Sequence, residues 1–172
     1  MSLSDTIKKN FPVGIAMPEE VAEMIDYIEE NTSEYFQIDM QFYPVSHDAV
    51  KYYFNNSEPI NYLGLLGVKA DGSIIAIWKD GDIQRFIHLG SEGNDWLILA
   101  SDPIDFIKVI AVGYIDFVKG EVLNPPKKTT IDKSFQDWVE KTFSVTVPES
   151  GKGIIDNESE KLADWIKSKM NF

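Results

Sequence analysis

Cysteine is absent from the 172-residue sequence, which excludes disulfides, thiolate zinc sites, iron–sulfur clusters and a cysteine nucleophile. Histidine is almost absent, since His47 and His88 are the only two in the chain. These two lie 41 residues apart, whereas the histidine pair of a helical zinc site needs a short spacing. The sequence therefore predicts neither a metal site nor a cofactor.

Long apolar runs are also missing. The longest apolar stretch, 106–117, contains two charged residues and is far shorter than the roughly 20 residues that span a bilayer. The N-terminal segment has no apolar run like that of a signal peptide, because Pro12, Gly14 and Pro18 interrupt it. We expect a cytoplasmic protein that has no membrane partner.

Basic side chains are few, with 16 Lys and Arg against 28 Asp and Glu, a formal net charge of −12. Such a chain repels phosphate backbones, which argues against direct nucleic-acid binding. The entire charge excess belongs to residues 1–107, and residues 10–50 contain nine acids with no Lys or Arg. This asymmetry is typical of an interaction surface.

The residues 17–31 predict an amphipathic helix. Pro18 suits its first turn, and the acids that follow it complement the positive end of the helix dipole. At about 100° per residue, an apolar stripe and an acidic stripe fall on opposite sides. The apolar stripe consists of Val21, Met24, Ile25 and Ile28, and the acidic stripe consists of Glu19, Glu23, Asp26 and Glu30.

The next part of the chain predicts a sheet. Strict alternation over 35–43 indicates a half-buried strand, and three further β-like runs are separated by the turn pairs Asp71-Gly72 and Asp80-Gly81. Residues 74–78 are apolar on both faces, so we expect the middle run to be covered on both sides. The runs of this central three-strand meander are 61–69, 74–79 and 83–89, and a short strand over 96–99 follows.

Helices dominate the remainder. Asp102-Pro103 is a strong helix start, an N-cap acid followed by proline, and Gly113 is the expected C-cap. Two more helices are predicted over 134–142 and 156–170. The order of helix, strands and helices indicates one α+β domain over residues 1–172, in which N-terminal and C-terminal helices cover a twisted, mostly antiparallel sheet.

Signals for enzymatic chemistry are weak. Ser91 lies between glycines at 90 and 93, but this segment is not a nucleophile elbow and is interpreted as a turn. Asp80-Gly81-Asp82 lacks the ligand spacing of a calcium loop, and Gly151-Lys152-Gly153 lacks the strand and helix that flank a phosphate loop. We predict no catalytic residue, and a hydrolase with a carboxylate pair is the least favoured hypothesis.

Several segments together resemble the SUKH superfamily, which includes yeast cell-wall-assembly regulators and many bacterial immunity proteins. The resemblance spans roughly residues 18–155. It is carried by Leu63-Gly64-Leu65-Leu66-Gly67, Asp71-Gly72, the run 75–78, Ile87-His88-Leu89-Gly90-Ser91-Glu92-Gly93, the run 100–113 with Asp105-Phe106-Ile107, and Phe135-Gln136-Asp137-Trp138-Val139. It implies an α+β fold and a non-enzymatic role, and many bacterial members are thought to neutralise a toxin, often a nuclease.

Charge and resemblance lead to two main hypotheses. The first is an immunity protein of a toxin–antitoxin pair, whose acidic surface meets the basic groove that a nuclease toxin needs for phosphate. The alternative is a regulatory scaffold of the cell-wall-assembly type without a toxin partner. For the first hypothesis, the predicted partner-binding residues are Glu19, Glu23, Asp26, Glu30 and, from the neighbouring strand, Asp39.

Overall fold

The computed structural model describes residues 1–35, 40–127 and 133–170. The described helices and strands follow the α+β order expected from the sequence, with consecutive strands between N-terminal and C-terminal helices. The helices are α1 (Leu3–Lys8), α2 (Glu19–Tyr35), α3 (Asp48–Phe54), α4 (Pro103–Val112), α5 (Lys133–Phe143) and α6 (Glu160–Lys169). The strands are β1 (Met40–Phe42), β2 (Leu63–Lys69), β3 (Ile74–Asp80), β4 (Ile83–Leu89) and β5 (Leu97–Ala100), and short 3₁₀ turns cover Glu58–Tyr62 and Glu121–Leu123.

The five strands form one antiparallel sheet in the order β1-β2-β3-β4-β5. Both predicted tight turns are present, and each relies on a glycine with positive φ. Gly72 (φ 89°) closes the β2–β3 turn, and Gly81 (φ 62°) is the first residue of the two-residue loop between β3 and β4. The predicted central meander and antiparallel sheet are thus confirmed.

Helices cover both faces of this sheet. On one face, Ile75 and Ile77 of β3 pack in a core formed with α1, α2, α4 and α5. On the other face, Ala76 and Trp78 pack in a second core formed with α3 and α6. The strand predicted to be covered on both sides is therefore the middle strand of the sheet.

Helix α4 begins and ends as its sequence predicts. The Asp102 carboxylate accepts hydrogen bonds from the backbone N–H groups of Ile104 and Asp105, at 2.9 and 3.1 Å. Gly113 ends the helix with a φ of 87°. Because Asp102 and Gly113 cap the free backbone groups at its two ends, α4 begins and ends where its buried face meets the sheet.

Three boundaries differ from the sequence prediction. Helix α6 begins at Glu160 rather than at residue 156, because Asp156 exchanges backbone hydrogen bonds with Ile98 and Ser159 caps the helix instead. The strand predicted over 61–69 begins only at Leu63, since Tyr62 belongs to a 3₁₀ turn. Helix α2 continues to Tyr35 instead of ending at residue 31, so residue 35 does not belong to the strand predicted over 35–43. The described part of that strand is Met40–Phe42, and residues 36–39 lie outside the described part of the chain.

Helix α1 was not predicted. Six residues form it, Ser2 caps it by accepting a hydrogen bond from the Asp5 backbone N–H, and Ile7 is fully buried. A helix this short is unstable in isolation and depends on what it packs against. Its partner is α2, through a contact that also involves one of the predicted site residues.

Candidate functional site

Of the five exposed carboxylates described on α2, those of Glu19, Glu23 and Glu30 lie on the side opposite the core, and those of Glu20 and Glu29 flank them. We call Glu19, Glu23 and Glu30 the acidic surface. The opposite side of the helix is buried in the core, as the apolar stripe predicted, with Val21, Met24 and Ile25 fully buried and Ile28 nearly so. The amphipathic pattern therefore placed the core side of α2 correctly and left the acidic surface exposed to solvent.

No ion pair within residues 1–35, 40–127 and 133–170 involves the acidic surface. The nearby Lys8 pairs with Asp5 at 3.6 Å within α1. The neighbouring helix α5, whose Trp138 stacks on Tyr27 of α2, keeps Lys133 paired with Asp137 at 3.3 Å within the helix. The acidic surface therefore keeps its like-charge repulsion, which costs a few tenths of a kcal/mol per neighbouring pair.

Asp26 has a different environment from the acidic surface. Its carboxylate accepts hydrogen bonds from the Ser4 backbone N–H at 2.8 Å and from the Ser4 hydroxyl at 2.7 Å. Ser4 is 2 % exposed, so these bonds join α1 to α2 away from bulk solvent. Asp26 is thus a structural anchor, and any test of binding should leave it unchanged.

We expect Ser4→Ala to lower the free energy of unfolding by about 2 kcal/mol, because it removes the hydrogen bond from a buried hydroxyl to a charged, half-buried acceptor. Chemical denaturation measures this loss. Glu23→Gln, on α2 like Asp26, is the control and should change stability by less than about 0.5 kcal/mol. Equal effects of the two substitutions would contradict the anchoring role of Asp26.

A cleft between α1 and α2 extends the acidic surface inward. Its volume is about 350 Å³, and Thr6, Asp26, Glu29 and Glu30 are among its lining residues. A concave acidic site of this kind can admit a basic side chain from a partner. Asp39, the remaining predicted contact, lies outside the described residues.

A second polar site, which the sequence did not reveal, lies at one end of the sheet. It is a cavity of about 300 Å³ bordered by the ends of β2, β3 and β4, the loop 90–95 and the segment 116–118. Lys69, Ser73 and His88 contribute polar side chains that are at least 96 % buried. We call it the polar cavity. No short motif marks it, because its residues come from well-separated parts of the chain.

His88 is held in a defined orientation in this cavity. Its Nδ1 lies 2.7 Å from the backbone carbonyl oxygen of Asp95, so Nδ1 carries the proton and donates it. Its Nε2 is buried without a hydrogen-bond partner among the described residues. Burial lowers the pKa of His88 to about 4, and the nearby Lys69 charge acts in the same direction. The imidazole is therefore neutral at physiological pH.

Lys69 is the cation of the polar cavity. Its side chain is 2 % exposed, and its ammonium lies 2.8 Å from a carboxylate oxygen of Asp116 and 6.0 Å from the centre of the Phe117 ring. The side chain of Asp116 is 61 % exposed. This arrangement leaves the buried ammonium charge partly compensated by a carboxylate that remains open to solvent.

The loop 90–95 closes one side of the cavity and is fixed by neighbouring groups. The Tyr53 hydroxyl donates to the Gly90 carbonyl at 2.7 Å, and the Ser91 backbone N–H donates to the Ser73 hydroxyl oxygen at 3.1 Å. Asp95 has a positive φ of 51°, and its carboxylate accepts from the Lys119 backbone N–H at 2.8 Å. The Ser-Glu-Gly loop of the family resemblance is thus a wall of the cavity.

The other residues considered for enzymatic chemistry, ion binding or phosphate binding make contacts that stabilise the fold. Ser91 makes no hydrogen bond to His88, whose Nε2 is unpartnered. Asp80 has a side chain only 7 % exposed, between Arg85 at 3.0 Å and Lys161 at 2.8 Å, and these cations hold its pKa below the usual range although burial opposes the shift. Gly151 donates from its backbone to the Val122 carbonyl within a tight contact.

Within the described ranges, no group of three or more His, Asp or Glu residues is arranged to hold a metal ion. None of the described helices has the length and apolar character needed to cross a membrane.

No family model and no curated protein matches the sequence, and no solved structure matches the fold.

Proposed function

We propose that the protein is a non-enzymatic binding protein of the SUKH type, an immunity protein that neutralises a basic toxin in the cytoplasm. The toxin is of the nuclease class, and the acidic surface covers its phosphate-binding groove. The single observation that carries this proposal is the acidic surface, Glu19, Glu23 and Glu30, which is exposed and forms none of the ion pairs found among the described residues.

The dimensions of the acidic surface suit such a groove. Glu19 and Glu30 are separated by eleven residues of helix, or roughly 16 Å at 1.5 Å per residue. Each strand of a nucleic-acid duplex has about one phosphate per 3.4 Å of helix axis. A row of carboxylates of this length therefore mimics several phosphates in the groove of the toxin. The cleft beside Glu30 adds a concave part that can receive a long basic side chain.

Complementarity with a basic partner explains why a protein would retain the like-charge repulsion within its acidic surface. Opposite charges accelerate the encounter of two proteins, and like charges suppress wrong partners. An immunity protein has to capture its toxin before the toxin acts, so fast association is the property that the acidic surface supplies.

The absence of catalysis is part of the proposal. An imidazole that activates a serine must accept a hydrogen bond from its hydroxyl. In the polar cavity, neither Ser73 nor Ser91 makes this bond to His88. The described geometry therefore favours a binding role over nucleophilic catalysis.

The proposal expects a toxin gene beside this one, and the test is co-expression with the toxin domain that this gene encodes. The wild-type protein should restore growth of cells that make this toxin domain, whereas the double variant Glu23→Lys, Glu30→Lys should not. Neither substitution touches the Asp26–Ser4 anchor. We expect the dissociation constant to rise by about two orders of magnitude, since two close charge pairs become repulsive.

The matched control is Glu149→Lys, Asp164→Lys. Both residues are exposed and form no described ion pair, and the change in net charge is the same. This control should protect cells as well as the wild type does. Equal loss of protection in both variants would show that net charge alone matters, and the absence of a toxin gene beside this one would favour the regulatory scaffold.

A further inference from the structure

Aromatic rings of α2 and α5 meet beside the acidic surface. The rings of Tyr27 in α2 and Trp138 in α5 are nearly parallel, with centroids 4.0 Å apart and an interplanar angle of 11°. The ring of Phe143 lies perpendicular to that of Trp138, with centroids 5.6 Å apart. We call Tyr27, Trp138 and Phe143 the aromatic stack. All three residues are half-buried and pack against the core, so the stack is held in place and still has a surface that solvent reaches.

Trp138 has a hydrogen-bond donor that the described part of the fold does not use. Its indole N–H donates to none of the described acceptors, whereas that of Trp96 donates to the Tyr53 hydroxyl at 2.8 Å. Nε1 of Trp138 is accessible as well, because the side-chain nitrogens buried without a partner in the described ranges are those of Trp78 and His88. A half-buried tryptophan with an accessible donor is the type of residue that anchors protein interfaces, since it contributes a large contact area at little cost in conformational entropy.

Helical geometry places the aromatic stack next to the carboxylates. Tyr27 follows Glu23 by four positions and precedes Glu30 by three, and residues at these spacings are neighbours on a helix surface. The cleft between α1 and α2 borders the acidic surface on its other side, where Asp26 and Glu29 line it. The outer side of α2 therefore runs from the cleft, across the acidic surface, to the aromatic stack.

Aromatic rings beside carboxylates favour a planar cation. A ring attracts a cation through the negative face of its π system, and arginine makes such contacts more often than lysine. A guanidinium group is planar and weakly hydrated, so it can lie against a ring while its N–H groups reach carboxylates. A lysine ammonium is compact and strongly hydrated, and Glu23 and Glu30 repel an anion. An arginine side chain therefore complements both the aromatic stack and the acidic surface.

We propose that the aromatic stack is the anchor site for an arginine side chain of the basic protein partner, an inference that rests on the proposed function. The arginine packs against the exposed part of the stack, and its guanidinium N–H groups donate to the carboxylates of Glu23 and Glu30. The indole N–H of Trp138 donates to a carbonyl group of the partner. The partner is thus recognised by a specific side chain in addition to its net charge, as is typical of the aromatic and arginine anchors of protein interfaces.

The test is an NMR titration of the tryptophan indole N–H resonances with a short peptide in which arginine alternates with glycine. The Trp138 resonance should shift saturably, whereas that of Trp78, which is 2 % exposed, is the internal control and should not shift. A peptide with lysine in place of arginine should bind about threefold more weakly at the same ionic strength, because it lacks the planar guanidinium. A peptide with citrulline, which has the planar shape without the charge, should leave Trp138 unshifted.

Two variants separate the aromatic contribution from the charge, with binding measured by the fluorescence anisotropy of labelled peptides. Trp138→Leu keeps an apolar side chain against Tyr27 but removes the ring, so the arginine peptide should bind only as tightly as the lysine peptide does. Tyr52→Leu is the matched control, since it removes an aromatic ring that is 87 % exposed on α3, on the other face of the sheet. It should leave the preference for arginine intact. General destabilisation would weaken both peptides and not remove the preference.

Three results would overturn the proposal. They are an unshifted Trp138 resonance with the arginine peptide, equal affinities of the wild type for the arginine and lysine peptides, or an equal Trp138 shift with the citrulline peptide. The wild-type titrations decide among these outcomes even if Trp138→Leu fails to fold.

The proposed function fails in a different way. A protein that gives the expected peptide titrations but does not protect cells from the toxin domain would contradict the immunity role alone. Protection that depends on Glu23 and Glu30, together with an unshifted Trp138, would overturn the arginine anchor alone.

Discussion

Between pH 6.5 and pH 4 we expect the free energy of unfolding to fall by about 3 kcal/mol through His88 alone. Burial lowers the pKa of this histidine in the folded state, so the unfolded chain binds the proton first as the pH falls. Above pH 6.5 both states are neutral and stability is complete. Below about pH 4 both states are protonated, and the His88 contribution to the loss levels off.

The carboxylates respond at lower pH, which separates the two effects. Asp71 and Asp80 have pKa values held below 3.8 by hydrogen bonds and nearby cations, even though burial opposes this shift. Their stabilising effect is therefore lost only as the pH falls below about 4.

Urea denaturation of the wild type and of His88→Gln across this range measures the His88 effect. Glutamine can donate to the Asp95 carbonyl but does not titrate, so its stability profile should be flat where that of the wild type declines. Parallel profiles for the two proteins would show that His88 is not buried in its neutral form.

The second large effect is expected from Gly67→Ala in β2. A β-carbon at this position would overlap the backbone carbonyl of Gln41 in β1, far inside van der Waals contact. Because Gly67 pairs with Phe42, the added methyl group pushes the edge strand β1 away from the sheet. We expect a loss of about 3 kcal/mol in the free energy of unfolding.

Gly64→Ala in the same strand is the matched control. Its β-carbon would lie 2.9 Å from Cε2 of Phe11, a side chain that can rotate, rather than from a backbone atom. The loss should be clearly smaller, and hydrogen exchange at the Tyr43 amide, which donates to the Leu66 carbonyl, should accelerate only in Gly67→Ala. Equal losses would contradict the close approach of β1 to Gly67.

Local signals were sufficient for much of this fold. The apolar stripe of α2, the cap residues of α4 and the glycine turns of the meander act within a few residues, so the sequence reveals them directly. The sequence does not predict helix α1 because this helix depends on the carboxylate of Asp26, which is far away along the chain. The predicted start of α6 is too early because Asp156 forms an antiparallel bridge with Ile98 of the edge strand β5.

The two sites differ in how far the sequence could predict them. Helical periodicity placed Glu19, Glu23 and Glu30 on the exposed side of α2, but it could not distinguish Asp26, whose partner is 22 residues away. The polar cavity joins Lys69, His88 and Asp116, which no spacing rule relates. Only the sheet register and the path of the chain after α4 bring these residues together.

The most direct test of the proposed binding role is the salt dependence of association with the proposed toxin partner. Stopped-flow measurements should show the wild-type association rate constant falling by about tenfold or more from low to high ionic strength. Glu23→Lys, Glu30→Lys should associate slowly with little salt dependence, and Glu149→Lys, Asp164→Lys should behave like the wild type. An association rate of the Glu23→Lys, Glu30→Lys variant equal to that of the wild type at every salt concentration would contradict the acidic surface as the binding site.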